Sequence, residues 1–281
     1  MPHYDARVPA DFPLKWTPTS DNTNPIPILP GWGEVAPFGV QSIQAHRASA
    51  FPDTREARFW EDVRLIGALG HEHSTIRTTN QAHIAHFWED GPHSVTPPGH
   101  FMKIAQTVLK DRMDEVDLAR SMALVAMAVA DAGFSAWDSK YAYDILRPET
   151  VLRERMVRLP GFEGQNLRPD PTWKAAIPNP RFPAYVSGHS TFGAAGARMT
   201  QLLARTDRVA FRLSSPDDHL LPTNHQGKSR AFTSIWDTAV ENGFSRLYGG
   251  VHWSFDHFAG MESGLGIANE IHRRHFLPRA Y

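Results

Sequence analysis

The 281-residue sequence contains no cysteine, carries almost no net charge and has no long hydrophobic run. The absence of cysteine excludes disulfides, thiolate catalysis and cysteine-based metal sites. A formal net charge of −1 gives no electrostatic reason to expect binding to nucleic acid or to an anionic membrane surface. The longest nearly continuous apolar run, Met122 to Ala130, is about half the length that crosses a bilayer. We therefore expect a soluble protein with no nucleic-acid and no membrane partner.

The N-terminal region is rich in proline and shows no sustained helical or strand period. Its first residues, Met-Pro-His-Tyr-Asp-Ala-Arg, lack the basic and apolar regions of a secretory signal peptide, so we expect a cytoplasmic protein, with secretion left open. Residues 1–52 carry too many apolar side chains for a disordered linker, and we interpret them as an ordered, irregular arm. Residues 53–281 are then a separate helical-bundle domain.

Helix signals recur along residues 53–281. A Ser, Thr or Asp followed three positions later by an acid or amide marks a helix start, and glycine or proline marks a stop. With the apolar spacing between them, these signals predict helices over residues 53–70, 78–89, 96–110, 114–146, 191–203, 233–241 and 254–274. No alternating run of strand length stands out, and residues 206–230 read as a surface excursion. We predict an all-α fold built around a four-helix bundle.

Three short segments combine the side chains that hold an oxyanion. In order along about 120 residues they are K-x6-R-P (Lys140, Arg147), S-G-H (Ser187, Gly188, His189) and S-R-x5-H-x3-D (Arg246, His252, Asp256). Cations neutralise an oxyanion, guanidinium groups bind its oxygens in pairs, and glycine lets a backbone N–H approach closely. One histidine is left to bond the central atom and the other to move a proton. Each pattern alone is weak, whereas all three in order are a strong signal.

The predicted helices bring these segments together. If the fourth helix continues to Leu146, Lys140 and Arg147 lie two turns apart on one of its faces. The Ser-Gly-His segment stands at the start of a helix, where free N–H groups and a positive partial charge favour an anion. We therefore expect an anion site at one end of the bundle.

The three segments resemble the signature of the superfamily that joins vanadium-dependent haloperoxidases to type 2 phosphatidic acid phosphatases and bacterial acid phosphatases. The flanking residues 182–193, 245–253 and 265–271 are similar to the haloperoxidase branch, and the likeness extends from about Trp16 to about His275. One departure is Val186, where the family usually has proline. This change affects the stiffness of the loop and removes no ligand.

The resemblance implies vanadate as the cofactor, with phosphate able to occupy the same site. The implied contacts to the equatorial oxygens come from Lys140, Arg147, Arg246, the Ser187 hydroxyl and the Gly188 N–H. His252 is the implied vanadium ligand, and His189 bonds the apical oxygen and acts as acid and base. Lys140 is further implied to polarise the bound peroxide. Asp256 either orients His252, pairs with a neighbouring arginine or is an ordinary acid at a helix N-terminus.

Two further features have more than one interpretation. Phe182 occupies a position where haloperoxidases carry an aromatic residue or a histidine, and it either keeps the site dry or is a core residue. His83 and His86 are spaced like metal ligands on one helix, together with Glu89. Because no supporting ligands follow at a suitable spacing, we interpret these histidines as exposed helix residues.

The resemblance implies a vanadate-dependent haloperoxidase, which oxidises halide with hydrogen peroxide to a hypohalous acid equivalent that halogenates a small organic acceptor. The alternative is a soluble acid phosphatase with His252 as nucleophile and His189 as general acid, because phosphate and vanadate are isosteric. A third possibility is oxyanion binding without turnover. Longer relatives carry another helical bundle ahead of this region, so we expect a homodimer or larger homo-oligomer in which residues 13–38 wrap the neighbour.

Overall fold

The structure, a computed structural model, describes residues 12–22, 24, 26–92, 94–215 and 229–275. In this part of the chain the helices and strands are α1 (Ala57–Leu69), α2 (Thr79–Phe87), α3 (Thr96–Leu109), α4 (Glu115–Tyr143), α5 (Pro148–Thr150), α6 (Gly188–Ala204), β1 (Arg208–Ser214), β2 (Ser229–Ser234), α7 (Ile235–Tyr248) and α8 (Ser254–Arg274). The all-α prediction is confirmed, with one small hairpin added.

Helix α6 is the centre of the bundle, since it contacts α3, α4, α7 and α8. Its neighbours approach closely because small residues line the contacts. A Cβ atom on Gly196 would lie 2.6 Å from Phe101 Cβ, and one on Gly264 of α8 would lie 2.2 Å from the Thr191 carbonyl oxygen. The close approach of these helices therefore requires glycine at both positions, since any side chain would collide with the neighbouring helix. The start of α6, which carries the Ser-Gly-His segment, is held rigidly from several sides.

Among the described residues, one helix, α4, is long and apolar enough by composition to cross a membrane. However, 56% of its most apolar window is buried inside the protein, and the helix contacts α3, α6 and α8. Helix α4 is therefore the core helix of the bundle, as its nearly all-round apolar stretch predicted.

Several helix ends follow the capping signals of the sequence. The Thr78 side chain accepts from the Gln81 N–H, and the Gln81 side chain accepts from the Thr78 N–H, which forms a capping box at α2. Helix α1 ends at Leu69 with Gly70 as its cap, and α8 has the predicted bounds. The predicted start of α3 at Thr96 is also confirmed.

The predicted continuation of α4 to Leu146 is wrong. Asp144 adopts a left-handed conformation (φ 53°), and its N–H closes the last turn on the Lys140 carbonyl, so α4 ends at Tyr143. Arg147 lies beyond this break in extended backbone (φ −69°, ψ 153°), as expected before Pro148. Lys140 and Arg147 therefore do not share one helical face, and the turn after α4 brings Arg147 to the site.

Two further predictions need correction between residues 206 and 248. Strands β1 and β2 pair antiparallel, and the side chains of β1 alternate between exposed and buried, a pattern that the sequence analysis overlooked. The rest of the predicted surface excursion, residues 216–228, lies outside the described residues.

Helix α7 runs past Gly243 to Tyr248, because Gly243 packs against His257 and does not stop the helix. A Cβ at Gly243 would lie 2.1 Å from His257 Nδ1.

The described part of the N-terminal arm packs against α4 and the turn that follows it. The Trp16 N–H donates to the Asp144 carbonyl (2.7 Å). Trp32 contacts Trp137 edge to face, with ring centres 4.8 Å apart. The buried Asp131 carboxylate accepts from the backbone N–H groups of residues 38–40. These bonds fix the arm along its own bundle.

Candidate active site

The structure brings the predicted site residues together at one end of the bundle. They come from the last turn of α4 (Lys140), the turn after it (Arg147), the start of α6 (Ser187, Gly188, His189), the end of α7 (Arg246), the segment between α7 and α8 (His252) and the first turn of α8 (Asp256). Burial holds the pKa of His252 well below the usual value, and the positive charges of Arg147, Lys140 and Arg246 lower this pKa further. The separate segments therefore form one cluster.

His252 is oriented by Asp256. The His252 Nδ1 atom lies 2.7 Å from Asp256 Oδ2, and the same oxygen accepts from the Trp253 N–H at 3.1 Å. A carboxylate requires a donor, so Nδ1 carries the proton and Nε2 keeps its lone pair. The Nε2 atom lies 3.0 Å from Arg147 Nη1, among the cations. Both interpretations of Asp256 hold, since it caps the start of α8 and also orients the histidine.

Burial shifts the pKa values of this pair in ways that matter for chemistry. Asp256 is fully buried, which raises its pKa to about 7. His252 is 2% exposed, and its lowered pKa keeps the imidazole neutral. A neutral imidazole whose Nε2 carries a lone pair, here directed at Arg147 Nη1, is able to bond an electrophilic centre that takes the place of this contact, either as a ligand or as a nucleophile.

The two arginines are buried and retain unused donors. Arg147 donates to the carbonyls of Phe182 (3.1 Å) and Val251 (2.7 Å), and Arg246 donates to the Trp88 carbonyl (3.4 Å). Burial lowers the pKa of Arg147 to about 9 and that of Arg246 to about 10. Within the described residues, Arg147 Nη2 and Arg246 Nε have no hydrogen-bond partner. Buried donors of this kind fit an anion that lies between the two guanidinium groups.

Lys140 holds the segment that precedes the Ser-Gly-His motif. Its ammonium group donates to the carbonyls of Pro183 (2.9 Å), Ala184 (3.1 Å) and Val186 (2.5 Å). Burial and the charge of Arg147 lower the pKa of Lys140 well below its ordinary value. Since these three carbonyls match the three ammonium hydrogens, Lys140 supplies charge and fixes the loop. Its direct contact with an oxyanion stays a prediction.

Phe182 lies at the site and not in a remote part of the core. The centre of its ring is 4.8 Å from Lys140 Nζ and 5.0 Å from Arg147 Cζ. The ring also packs against Trp137, with ring centres 4.9 Å apart. One aromatic face thus contacts two buried cations, which stabilises their close approach in the absence of water.

The start of α6 provides the remaining groups. Ser187 caps the helix, because its Oγ accepts from the Ser190 N–H (3.3 Å), and its own N–H donates to the Asp256 carbonyl (3.0 Å). The next N–H groups, of Gly188 and His189, have no acceptor within the helix and carry its positive partial charge. His189 is only partly buried, and burial together with the charge of Arg246 keeps its pKa well below the usual value.

The sequence analysis missed the loop after α2, which borders this cluster. The Trp88 carbonyl accepts from Arg246, and the Glu89 carbonyl lies 3.2 Å from His189 Nε2. Asp90 contacts the buried His100 through both carboxylate oxygens at 3.1 Å. In the sequence Asp90 marked the end of a helix, and Glu89 was considered only as a possible metal ligand beside His83 and His86. No local pattern indicates that they reach an arginine more than 150 residues further on.

The complete donor set fits a tetrahedral or trigonal-bipyramidal oxyanion such as vanadate or phosphate. It combines three buried cations, two of them with unused N–H groups, with a hydroxyl, the N–H groups of a helix start and a neutral imidazole. Within the described ranges, no group of three or more His, Asp or Glu residues is placed to hold a metal ion.

Comparison with known proteins places this arrangement in a family. The profile of the VCPO second helical-bundle domain matches residues 120–277, which include all three motifs. The vanadium chloroperoxidase of Curvularia inaequalis is 29% identical over an alignment of 254 residues, which covers 71% of this chain and 40% of that protein. A solved bacterial vanadium-dependent iodoperoxidase is 26% identical with a TM-score of 0.78, covering 95% of this chain and 61% of the other.

A holo-type bacterial vanadium-dependent chloroperoxidase has the same fold, with a TM-score of 0.70 at 16% identity over 93% of this chain and 61% of the other. The chain thus spans about 40 to 61% of the length of these relatives. The family match covers more than half of the chain and contains every cation and histidine of the site. The loop after α2, which borders the site, lies outside the matched residues. The chain belongs to the family of the VCPO second helical-bundle domain.

Proposed function

We propose that the chain is a vanadate-dependent haloperoxidase. In this proposal it uses hydrogen peroxide to oxidise halide to a hypohalous acid equivalent, which halogenates a small organic acceptor. The observation that carries the proposal is the His252–Asp256 pair, which leaves a neutral Nε2 among buried arginines. Two relatives above 25% identity are a vanadium chloroperoxidase and a vanadium-dependent iodoperoxidase. The phosphatase alternative is not favoured.

The buried cations would hold vanadate, and vanadate when bound supplies the Lewis acid that activates peroxide. Arg147 and Arg246 would donate their unused N–H groups to its oxygens, with the Ser187 hydroxyl and the Gly188 N–H on the side of α6. His252 Nε2 would be the protein ligand. Because the arginines are desolvated, each bond to an anion is stronger here than at the surface.

His189 would move the protons of the reaction. It lies at the start of α6, is partly buried, and faces the Glu89 carbonyl through Nε2. Its lowered pKa keeps the ring neutral, so it accepts a proton from incoming hydrogen peroxide and returns one to the departing product. Lys140 would polarise the reacting oxygen through its charge, and Phe182 and Trp137 exclude water from that side.

The purified protein loaded with vanadate is expected to brominate a phenolic dye in the presence of bromide and hydrogen peroxide. Phosphate should suppress this activity competitively, because both oxyanions use the unused donors of Arg147 and Arg246. The measurement is dye bromination against vanadate concentration at several phosphate concentrations, repeated with chloride and iodide. Hydrolysis of an aryl phosphate is followed in parallel samples without peroxide.

The matched control is His73→Ala, which removes a histidine whose side chain is 81% exposed and lies outside the cluster. It should retain the bromination rate and the phosphate inhibition of the wild-type protein. Brisk hydrolysis of the phosphate ester, with no halogenation at any vanadate concentration, would instead identify a phosphatase.

We also propose that the protein assembles as a homodimer or larger homo-oligomer. We predicted that residues 13–38 wrap the neighbouring subunit, but the arm packs on α4 of its own chain. We therefore propose that the arm contributes an exposed apolar face to the contact between subunits. Its exposed apolar side chains are Ile26, Leu29, Val35 and Phe38. A two-fold contact is the commonest way to cover such a face. Sedimentation that gives a mass near 31.5 kDa at micromolar concentration would contradict this proposal.

A further inference from the structure

The loop after α2 carries two buried acids to the edge of the anion site. Its backbone is bonded to the site twice, because Arg246 donates to the Trp88 carbonyl and His189 Nε2 lies 3.2 Å from the Glu89 carbonyl. Glu89 is 8% exposed and Asp90 is 5% exposed. Negatively charged side chains at this position oppose the binding of an anion, unless their charge is neutralised by a neighbouring group.

The two acids differ in how their carboxylates are held. Both oxygens of Asp90 contact the ring of His100, which is fully buried and stacks on Trp88 with ring centres 4.6 Å apart. Asp90 is therefore committed to this histidine. Glu89 Oε2 is buried and, within the described part of the chain, has no hydrogen-bond partner. His86 Nδ1 lies 3.6 Å from Glu89 Oε2, which is too long for a hydrogen bond.

Like Glu89, Arg246 is buried with too few hydrogen-bond partners. It is 2% exposed, its Nε has no partner among the described residues, and its Nη1 makes only a long bond of 3.4 Å to the Trp88 carbonyl. The charge of Glu89 is the largest influence that offsets the effect of burial on the Arg246 pKa. A buried carboxylate and a buried guanidinium with unused atoms thus lie on adjacent segments without forming a direct ion pair, so the charge of Glu89 acts on Arg246 at a distance when no anion is bound.

We propose that the buried negative charge of Glu89, held beside Arg246 by the loop after α2, lowers the oxyanion affinity of the site. This inference rests on the proposed function only in that an oxyanion occupies the site. The carboxylate stabilises Arg246 in the empty site and repels the anion in the filled one. Glu89 is therefore a residue that tunes affinity, and it weakens the binding of vanadate and phosphate alike. The isosteric change Glu89→Gln removes the charge and keeps the shape.

The test is the affinity for inorganic phosphate, measured by calorimetry at low ionic strength without peroxide or halide. Glu89→Gln is expected to bind phosphate roughly tenfold more tightly than the wild-type protein, because it removes one partly screened repulsion between the carboxylate and the bound anion. Glu89→Asp, which keeps the charge, should stay near wild type. Glu154→Gln removes an exposed acid and is the matched control, with unchanged affinity.

A double-mutant cycle ties the effect to Arg246. In the Arg246→Ala background, Glu89→Gln should change phosphate affinity by far less than tenfold. Unchanged or weaker binding in the single variant would overturn the inference, and so would an equal gain in both backgrounds. A merely structural role predicts weaker binding, so the sign of the change separates the two. Dye bromination by the same wild-type sample tests the proposed function independently of this result.

Discussion

The His252→Ala variant is expected to lose vanadate affinity by on the order of a hundredfold or more, whereas His189→Ala retains most of it. His252 holds the one imidazole lone pair that is fixed toward the arginines, because Asp256 binds its other nitrogen. His189 contributes a hydrogen bond and a path for protons, so its loss slows peroxide activation more than it weakens binding. The two histidines therefore fail in different ways.

Equilibrium dialysis against vanadate measures the first effect, and the bromination rate at saturating vanadate measures the second. The exposed-histidine control His73→Ala should match the wild-type protein in both measurements. An equal loss of vanadate affinity in the His252 and His189 variants would contradict the roles assigned to them.

The Asp256→Asn variant is expected to bind vanadate roughly 10- to 100-fold more weakly, although its side chain keeps the same shape. The amide oxygen can still accept from His252 Nδ1 and the Trp253 N–H, but it lacks the charge that holds the ring proton on Nδ1 and strengthens Nε2 as a ligand. Loss of the Asp256 charge by itself would favour an anion. The weaker ligand bond of His252 outweighs this gain, because three cations already supply the positive charge.

Asp62→Asn is the matched control for the fold. Asp62 also holds the start of α8, since it accepts from the N–H and hydroxyl of Ser254 at 2.8 and 2.6 Å, but it does not contact His252. This variant should lower the thermal midpoint and leave the vanadate affinity of the folded protein nearly unchanged. Equal affinity losses in the two variants would show that Asp256 acts only through the stability of the helix start.

Local sequence signals predicted those helices whose ends depend on nearby residues. The capping box of Thr78 and the glycine after α1 act within one turn, so the sequence contains all the necessary information. The ends of α4 and α7 depend instead on distant contacts. Asp144 adopts a left-handed conformation that places Arg147 against His252, and Gly243 makes room for a histidine of α8. Neither contact is visible in a local pattern.

The candidate site divides in the same way. The residues of the three motifs could be predicted because their chemistry is unusual in combination and their spacing is fixed. The contribution of Glu89 and Asp90 could not, because acids that end a helix are common and the contact of their loop with Arg246 and His189 leaves no local trace. The ambiguous Phe182 needed the structure as well, since only its ring position relative to Lys140 and Arg147 distinguishes a site residue from a core residue.

The central claim is that the chain holds vanadate through His252 within a cluster of buried cations. The most direct test is a crystal structure of the protein soaked in vanadate. We expect vanadium bonded to His252 Nε2, with its oxygens contacting Arg147 and Arg246 through the N–H groups that now lack partners. Vanadate bonded to His189 or to no histidine, or found only outside this cluster, would contradict the claim.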